Sequence, residues 1–140
     1  MLYRPNVEDV LYIYEQEVAP TLAAAGQPHG VADHHRLDAA LARPWRSAGG
    51  EDAFPDLDLK AAALCEALSN YQPFVDGNKR TALLTTQLFY SYAGYIWLAP
   101  LDDGYDLLDG YMAQTRPVDL EYVAEHFRNW RKPVPEAPDY

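Results

Sequence analysis

The sequence predicts a single all-α domain of about six helices, and three observations carry that prediction. Apolar residues recur at helical spacing in segment after segment, aspartate or asparagine stands just ahead of four of those segments, and proline or glycine closes most of them. The chain has 140 residues, 49% of them hydrophobic, enough for one compact core.

Asn6 caps a first helix carrying Val7, Val10, Leu11, Tyr14 and Val18, with Pro20 expected to end or kink it. Asp33 caps a short second helix through Leu37, Ala40 and Leu41, stopping before Arg43-Pro44. WRSAGGEDAFP reads as a loop. Asp56 caps a third helix with Leu57, Ala61, Leu64 and Leu68 on one stripe, running to about Asn70. After the turn YQPFVDG, a fourth helix spans about Asn78 to Ala93; it is apolar on nearly all sides, so it is expected to be the most buried. Two amphipathic helices follow, one around Tyr105 to Gln114 and one capped by Asp119 with Leu120, Val123, Phe127 and Trp130. The run YIWLAP, after the fourth helix and ahead of these two, is strand-like but has no evident partner, so it reads as an extended link or a small hairpin at most. The helical domain is assigned to residues 1–131 and a flexible proline-rich tail to 132–140.

A formal charge of −10 argues against a nucleic-acid reader or a polybasic membrane anchor. No stretch is apolar enough to cross a bilayer, and Cys65 is the lone cysteine, which fits a reducing compartment. The cytoplasm is the expected location, with proteins or small molecules as partners.

The chemistry concentrates in QPFVDGNKR, Gln72 to Arg80. Free N–H groups at the start of the fourth helix, with the positive end of its dipole, favour an anion, and Gly77 permits close approach. Arg80 can fork onto phosphate oxygens, Lys79 adds a point charge, and Asp76 is a hard ligand suited to Mg²⁺. Each residue alone is more simply a turn, a cap or a solvated cation. Two cations in the first turn of a helix, where the dipole disfavours them, are better explained when an anion is present.

This segment resembles the signature of the Fic/Doc family, histidine-x-phenylalanine-x-acidic-glycine-asparagine-lysine-arginine, with Phe74, Asp76, Gly77, Asn78, Lys79 and Arg80 in place. It is most similar to the Doc (death-on-curing) branch, and the likeness extends to HGVADHHRLDAALARP, PDLDLKAAALCEAL and TALLTTQLFYSYAGY. The resemblance implies a helical core that binds ATP with Mg²⁺ and transfers part of it to a protein hydroxyl. Fic members generally move AMP; in the Doc branch a lysine at the position of Lys79 replaces a second glycine and a phosphate moves instead. By the same resemblance Asp76 holds Mg²⁺, Gly77 and Asn78 form the anion cradle, Arg80 grips a terminal phosphate, and Phe74 anchors the turn. Doc proteins are toxins that modify a translation elongation factor and are neutralised by an antitoxin. The inhibitory signature of many Fic-like proteins ends in glutamate followed by glycine or asparagine, a pair this chain lacks, so an inhibitor of that kind must come from another polypeptide.

Gln72 stands where the family has its catalytic histidine. A neutral amide has no basic lone pair to take a hydroxyl proton, and general-base catalysis is worth about a hundred- to ten-thousandfold. Three alternatives stay open: a nucleotide- or protein-binding module without catalysis, an enzyme in which Gln72 orients the nucleophile, and a chain altered to silence a toxic activity. His29, His34, His35 and His126 offer no substitute base or metal pair. Trp45 and Phe54 bracket the GGED loop, which the resemblance equates with a flap that aligns the target, and are candidates for docking it.

Overall fold

Helix α4 (Leu57–Asn70) runs through the centre of the molecule, with 12 of its 14 residues buried. The computed structural model describes residues 2–135. The small side chains of Ala61, Ala62, Ala63 and Ala67 let neighbours approach α4 on every side. Packed around it are α3 (His34–Ala42), a 3-10 turn (Arg43–Trp45), α5 (Asn78–Tyr92), a π-helical segment (Asp106–Met112) and α7 (Leu120–Asn129). This corrects the expectation that Asn78 to Ala93 is the most buried helix. Only 6 of the 15 residues of α5 are buried, and Leu83, Leu84 and Tyr92 reach its surface. Apolar content all round did not choose the central helix; side-chain size did.

Three charged residues go into the interior with α4, and each has partners. Asp58 accepts a hydrogen bond from the Tyr90 hydroxyl at 2.7 Å and pairs with Arg128 and Arg131, both at 3.1 Å. Lys60 donates to the carbonyls of Phe54 at 2.6 Å and Pro44 at 3.3 Å, and lies 3.4 Å from Asp52. Glu66 pairs with Arg43 and accepts from Asn70.

The first rod is α1 (Val7–Ile13), a π-helical turn (Tyr14–Val18) and α2 (Ala19–Ala24), continuous through Pro20. Pro20 neither ends nor breaks it. The turn ahead of it widens, with the Ala19 N–H reaching the Tyr14 carbonyl, which accommodates a residue that has no N–H and whose ring crowds the preceding turn. The penultimate rod starts earlier than expected, as α6 (Leu101–Tyr105), and continues into the π-helical segment to Met112. Among the described residues there are six continuous helical rods, and the domain is all-α apart from two small two-stranded sheets.

Both small sheets add pairing that the sequence did not reveal. The GGED loop forms β1 (Ser47–Ala48) and β2 (Glu51–Asp52), turned at Gly49 and Gly50, both with positive φ. YIWLAP does find a partner: β3 (Tyr95–Trp97) pairs antiparallel with β4 (Arg131–Pro133), so Lys132 and Pro133 belong to the folded domain and not to a tail. Residues 136–140 of the expected tail lie outside the described residues. Trp97 is buried and donates its indole N–H to the Phe127 carbonyl at 3.2 Å, which ties the β3–β4 sheet to α7. No helix among the described residues is long and apolar enough to cross a membrane.

Replacing Asp58 with alanine strands two cations and a buried phenol, so Asp58→Ala should lower unfolding stability by about 3 kcal/mol in urea titrations. Burial pushes the Cys65 thiol from 9.0 up to about 12, and burial followed by the hydrogen bond to Asp58 raises the Tyr90 phenol above its ordinary 10.0. Stability from these neutral groups is complete below about pH 9 and is lost as pH rises, because the unfolded chain ionises first. The melting temperature should therefore fall steadily from pH 9 to 12, with a shallower slope in Cys65→Ala.

Candidate functional site

The Gln72–Arg80 turn joins α4 to α5 and is fastened from two sides. The Pro73 carbonyl accepts from the N–H groups of Ala32 at 2.8 Å and Asp33 at 3.1 Å, the Val75 N–H donates to the Gly30 carbonyl at 2.9 Å, and Phe74 makes a β-bridge with Val31. The segment Gly30–Asp33 is thus a backbone template for the turn. On the other side the first rod contributes Tyr14. Its ring stacks flat on buried Phe74 at 4.0 Å, and its hydroxyl accepts from the Gly30 N–H at 2.9 Å and donates to the Asp76 carbonyl at 3.2 Å. One phenol therefore bridges the template and the turn. The sequence places Tyr14 only in an apolar stripe; the signal available was a hydroxyl that, once buried, needs partners.

Phe74 is the anchor expected of it. Asn78 closes the turn on itself: its side-chain oxygen accepts from the Phe74 N–H and its amide donates to the Phe74 carbonyl, both at 2.9 Å. The Asn78 side chain is committed to this clamp, so its backbone N–H is what it can offer an anion. Gly77 has φ 82°, and a Cβ there would lie 2.4 Å from Val18 Cγ1. Glycine is thus required by the close passage of the first rod as well as by backbone conformation.

With the turn so held, α5 begins with no side-chain cap. The Thr81 N–H makes the first helical bond, to the Gly77 carbonyl at 3.0 Å, and the N–H groups of Asn78, Lys79 and Arg80 have no partner among the described residues. Asp76 and Arg80 are exposed beside them. One Asp76 oxygen accepts from the Gly77 N–H at 2.7 Å, and Arg80 has no ion pair among the described residues. Lys79 is paired, 3.0 Å from Asp109 on the π-helical segment, a contact the sequence did not reveal. No group of three or more His, Cys, Asp or Glu side chains among the described residues could hold a metal by itself. A single carboxylate suits Mg²⁺, which keeps several waters and is bound largely by substrate phosphates.

Gln72 is exposed and follows the α4 cap residue Tyr71, with φ 53°. This left-handed position after a helix is ordinarily glycine; among other residue types histidine is enriched there and glutamine is not. A side chain is kept where none would be conformationally cheapest.

Trp45 and Phe54 are half-buried against the core. Trp45 meets Phe89 edge-on at 6.0 Å beneath the Arg4 guanidinium, and Phe54 lies under that of Arg43. They anchor the β1–β2 hairpin, with Lys60 fixed between them, and leave its tip exposed. Among the described residues no histidine side chain hydrogen-bonds to the turn; those of His29 and His126 meet the carbonyls of Gln27 and Tyr122.

Residues 5–90 match the family described as the Fic/DOC family. The chain is 39% identical over 119 residues to the protein named Toxin Doc of Mycolicibacterium smegmatis (strain ATCC 700084 / mc(2)155), covering 84% of this chain and 85% of that one. No solved structure matches it significantly. The chain belongs to the Fic/DOC family.

Gln72→Gly should stabilise the fold by about 1 kcal/mol by relieving the left-handed backbone. Tyr14→Phe should cost about 1 kcal/mol and speed amide exchange at Gly30, which loses its acceptor. Urea titration and hydrogen exchange measure these two outcomes.

Proposed function

We propose that this protein is a Doc-like toxin-type transferase that binds Mg-ATP at the Gln72–Arg80 turn and modifies a protein hydroxyl, slowly because Gln72 occupies the histidine position. The observation that carries this reading is the uncapped start of α5, where three N–H groups with no partner among the described residues lie beside exposed Arg80 and Asp76. The N–H groups of Asn78, Lys79 and Arg80 would receive phosphate oxygens, and the Arg80 guanidinium would fork onto the terminal phosphate. Asp76 would hold the Mg²⁺ that accompanies the nucleotide, whose charge offsets that of the phosphates.

Phosphoryl transfer is favoured over AMP transfer because Lys79 stands where AMP-transferring relatives carry a second glycine. In that step the target hydroxyl oxygen bonds to the terminal phosphorus, the bond to the bridging oxygen breaks, ADP leaves, and the hydroxyl proton must be taken up. The Gln72 amide oxygen can accept a hydrogen bond from the hydroxyl and orient it, but does not take the proton near neutral pH, which leaves water or phosphate as the acceptor. A translation elongation factor is the target class the Doc likeness favours. An antitoxin is the expected partner, and the apolar groove of about 580 Å³ lined by Ile13, Leu84, Leu88 and Ile96 offers it a face.

The second reading, a nucleotide- or protein-binding module without catalysis, is favoured by Gln72 alone. Labelled ATP separates the two. Gln72→His should raise transfer by at least about a hundredfold, with label from the γ phosphate and not the α phosphate appearing on one protein of a cell lysate. Calorimetry should show Mg-ATP binding weakened in Asp76→Ala and Arg80→Ala. No transfer by the histidine variant despite confirmed binding would leave the binding module; equal affinity in the alanine variants would remove the site.

A further inference from the structure

A cavity of about 320 Å³ opens between the α6–π rod and α7, and none of its lining residues belongs to the Gln72–Arg80 turn. Asp103, Asp106, Leu107 and Tyr111 line it from one rod, and Tyr122, His126 and Trp130 from the other. Residues four apart share a helix face, so Tyr122, His126 and Trp130 form a row, with ring centroids 4.7 and 5.8 Å apart. Tyr111 joins the row across the gap, 4.7 Å from Tyr122, and its hydroxyl accepts from the Asp119 N–H at 3.0 Å. His126 Nδ1 lies 3.0 Å from the Tyr122 carbonyl, which can only accept, so Nδ1 carries the hydrogen and Nε2 of the neutral ring is left as an acceptor.

Core packing explains only part of this row. Trp130 leans on Phe127 and Trp97, but Tyr122 is 46% exposed. Asp103 and Asp106 are exposed and have no cationic partner among the described residues. Arg128 and Arg131 serve Asp58, Lys79 serves Asp109, and Arg116 donates to the carbonyls of Met112 and Thr115.

We propose that this cavity receives an arginine side chain from a basic segment of a partner protein. Aromatic faces and carboxylates turned to one space attract a cation and repel phosphate or any other anion. No group of three or more His, Cys, Asp or Glu side chains among the described residues could hold a metal ion, and the aromatic rings add no ligands, which leaves an organic cation. A guanidinium suits the cavity better than an ammonium, because it is planar, stacks on rings, is weakly hydrated and forks onto carboxylate oxygens. The volume lies at the low end for ligand pockets and suits one side chain more than a whole cofactor. A protein segment is the favoured source because the acidic surface continues beyond the cavity, through exposed Asp102, Glu121 and Glu125, where further basic residues of the same segment would sit. The proposal is independent of the transferase reading.

Nuclear magnetic resonance titration of the full chain tests it, with acetyl-Lys-Arg-Lys-amide as the probe and the Trp130 indole N–H as the reporter. The signal should shift and saturate with this peptide. It should respond about tenfold more weakly when norleucine or citrulline replaces the arginine, and about tenfold more weakly to free arginine. Asp103→Asn with Asp106→Asn, and separately Tyr122→Ala, should each weaken binding by about tenfold while leaving the melting temperature and the Mg-ATP affinity unchanged; all three positions are exposed, so these variants should fold. Equal binding of the citrulline peptide, or unchanged affinity in the carboxamide pair, would overturn the site. Free arginine binding as tightly as the peptide would overturn the assignment of a protein partner.

Discussion

Burying a charge requires a partner, and α4 takes three charged side chains into the interior. Each can be satisfied only by a different part of the chain, so together they set where those parts go. Asp58 gathers α5, α7 and β4; Lys60 draws in the β1–β2 hairpin and the turn at Pro44; Glu66 takes Arg43. Hydrophobic burial makes α4 central, but apolar contact is not directional and would tolerate several arrangements. The ion pairs and hydrogen bonds are directional and favour one.

The central helix also delivers the site. It ends at Asn70, and the turn that follows is held by residues that do no chemistry themselves: Phe74 under Tyr14, Asn78 on the Phe74 backbone, Pro73 and Val75 on Gly30–Asp33. Because these groups satisfy one another, the polar groups left facing water are Gln72, Asp76, Arg80 and the first N–H groups of α5. The motif is thus half scaffold and half exposed polar groups. The glycine read as room for a ligand is also room for Val18.

The helix starts were legible because a cap is a contact between near neighbours. Asn6, Asp33, Asp56 and Asp119 each accept from an N–H two or three residues ahead, as their positions foretold. Pro20 was misleading for the converse reason. Its penalty applies to a regular α-turn, and a single π-turn, maintained by packing of Tyr14 and Val18 into the core, removes it. YIWLAP could not be paired from sequence, since its partner lies more than thirty residues on, in a stretch whose prolines suggested a tail.

The sequence by itself determined the all-α class, the capped helix starts and the residues of the Gln72–Arg80 turn, because these follow from short-range periodicity, capping and a contiguous motif. Only the tertiary structure decided that α4 and not α5 is central, that Tyr14 bridges Gly30 to Asp76, that Lys79 is held by Asp109, and that carboxylates of one rod meet an aromatic row on another. Each of these joins residues far apart in the chain. Their meeting depends on which surfaces are buried together, a property of the whole core that no local pattern encodes.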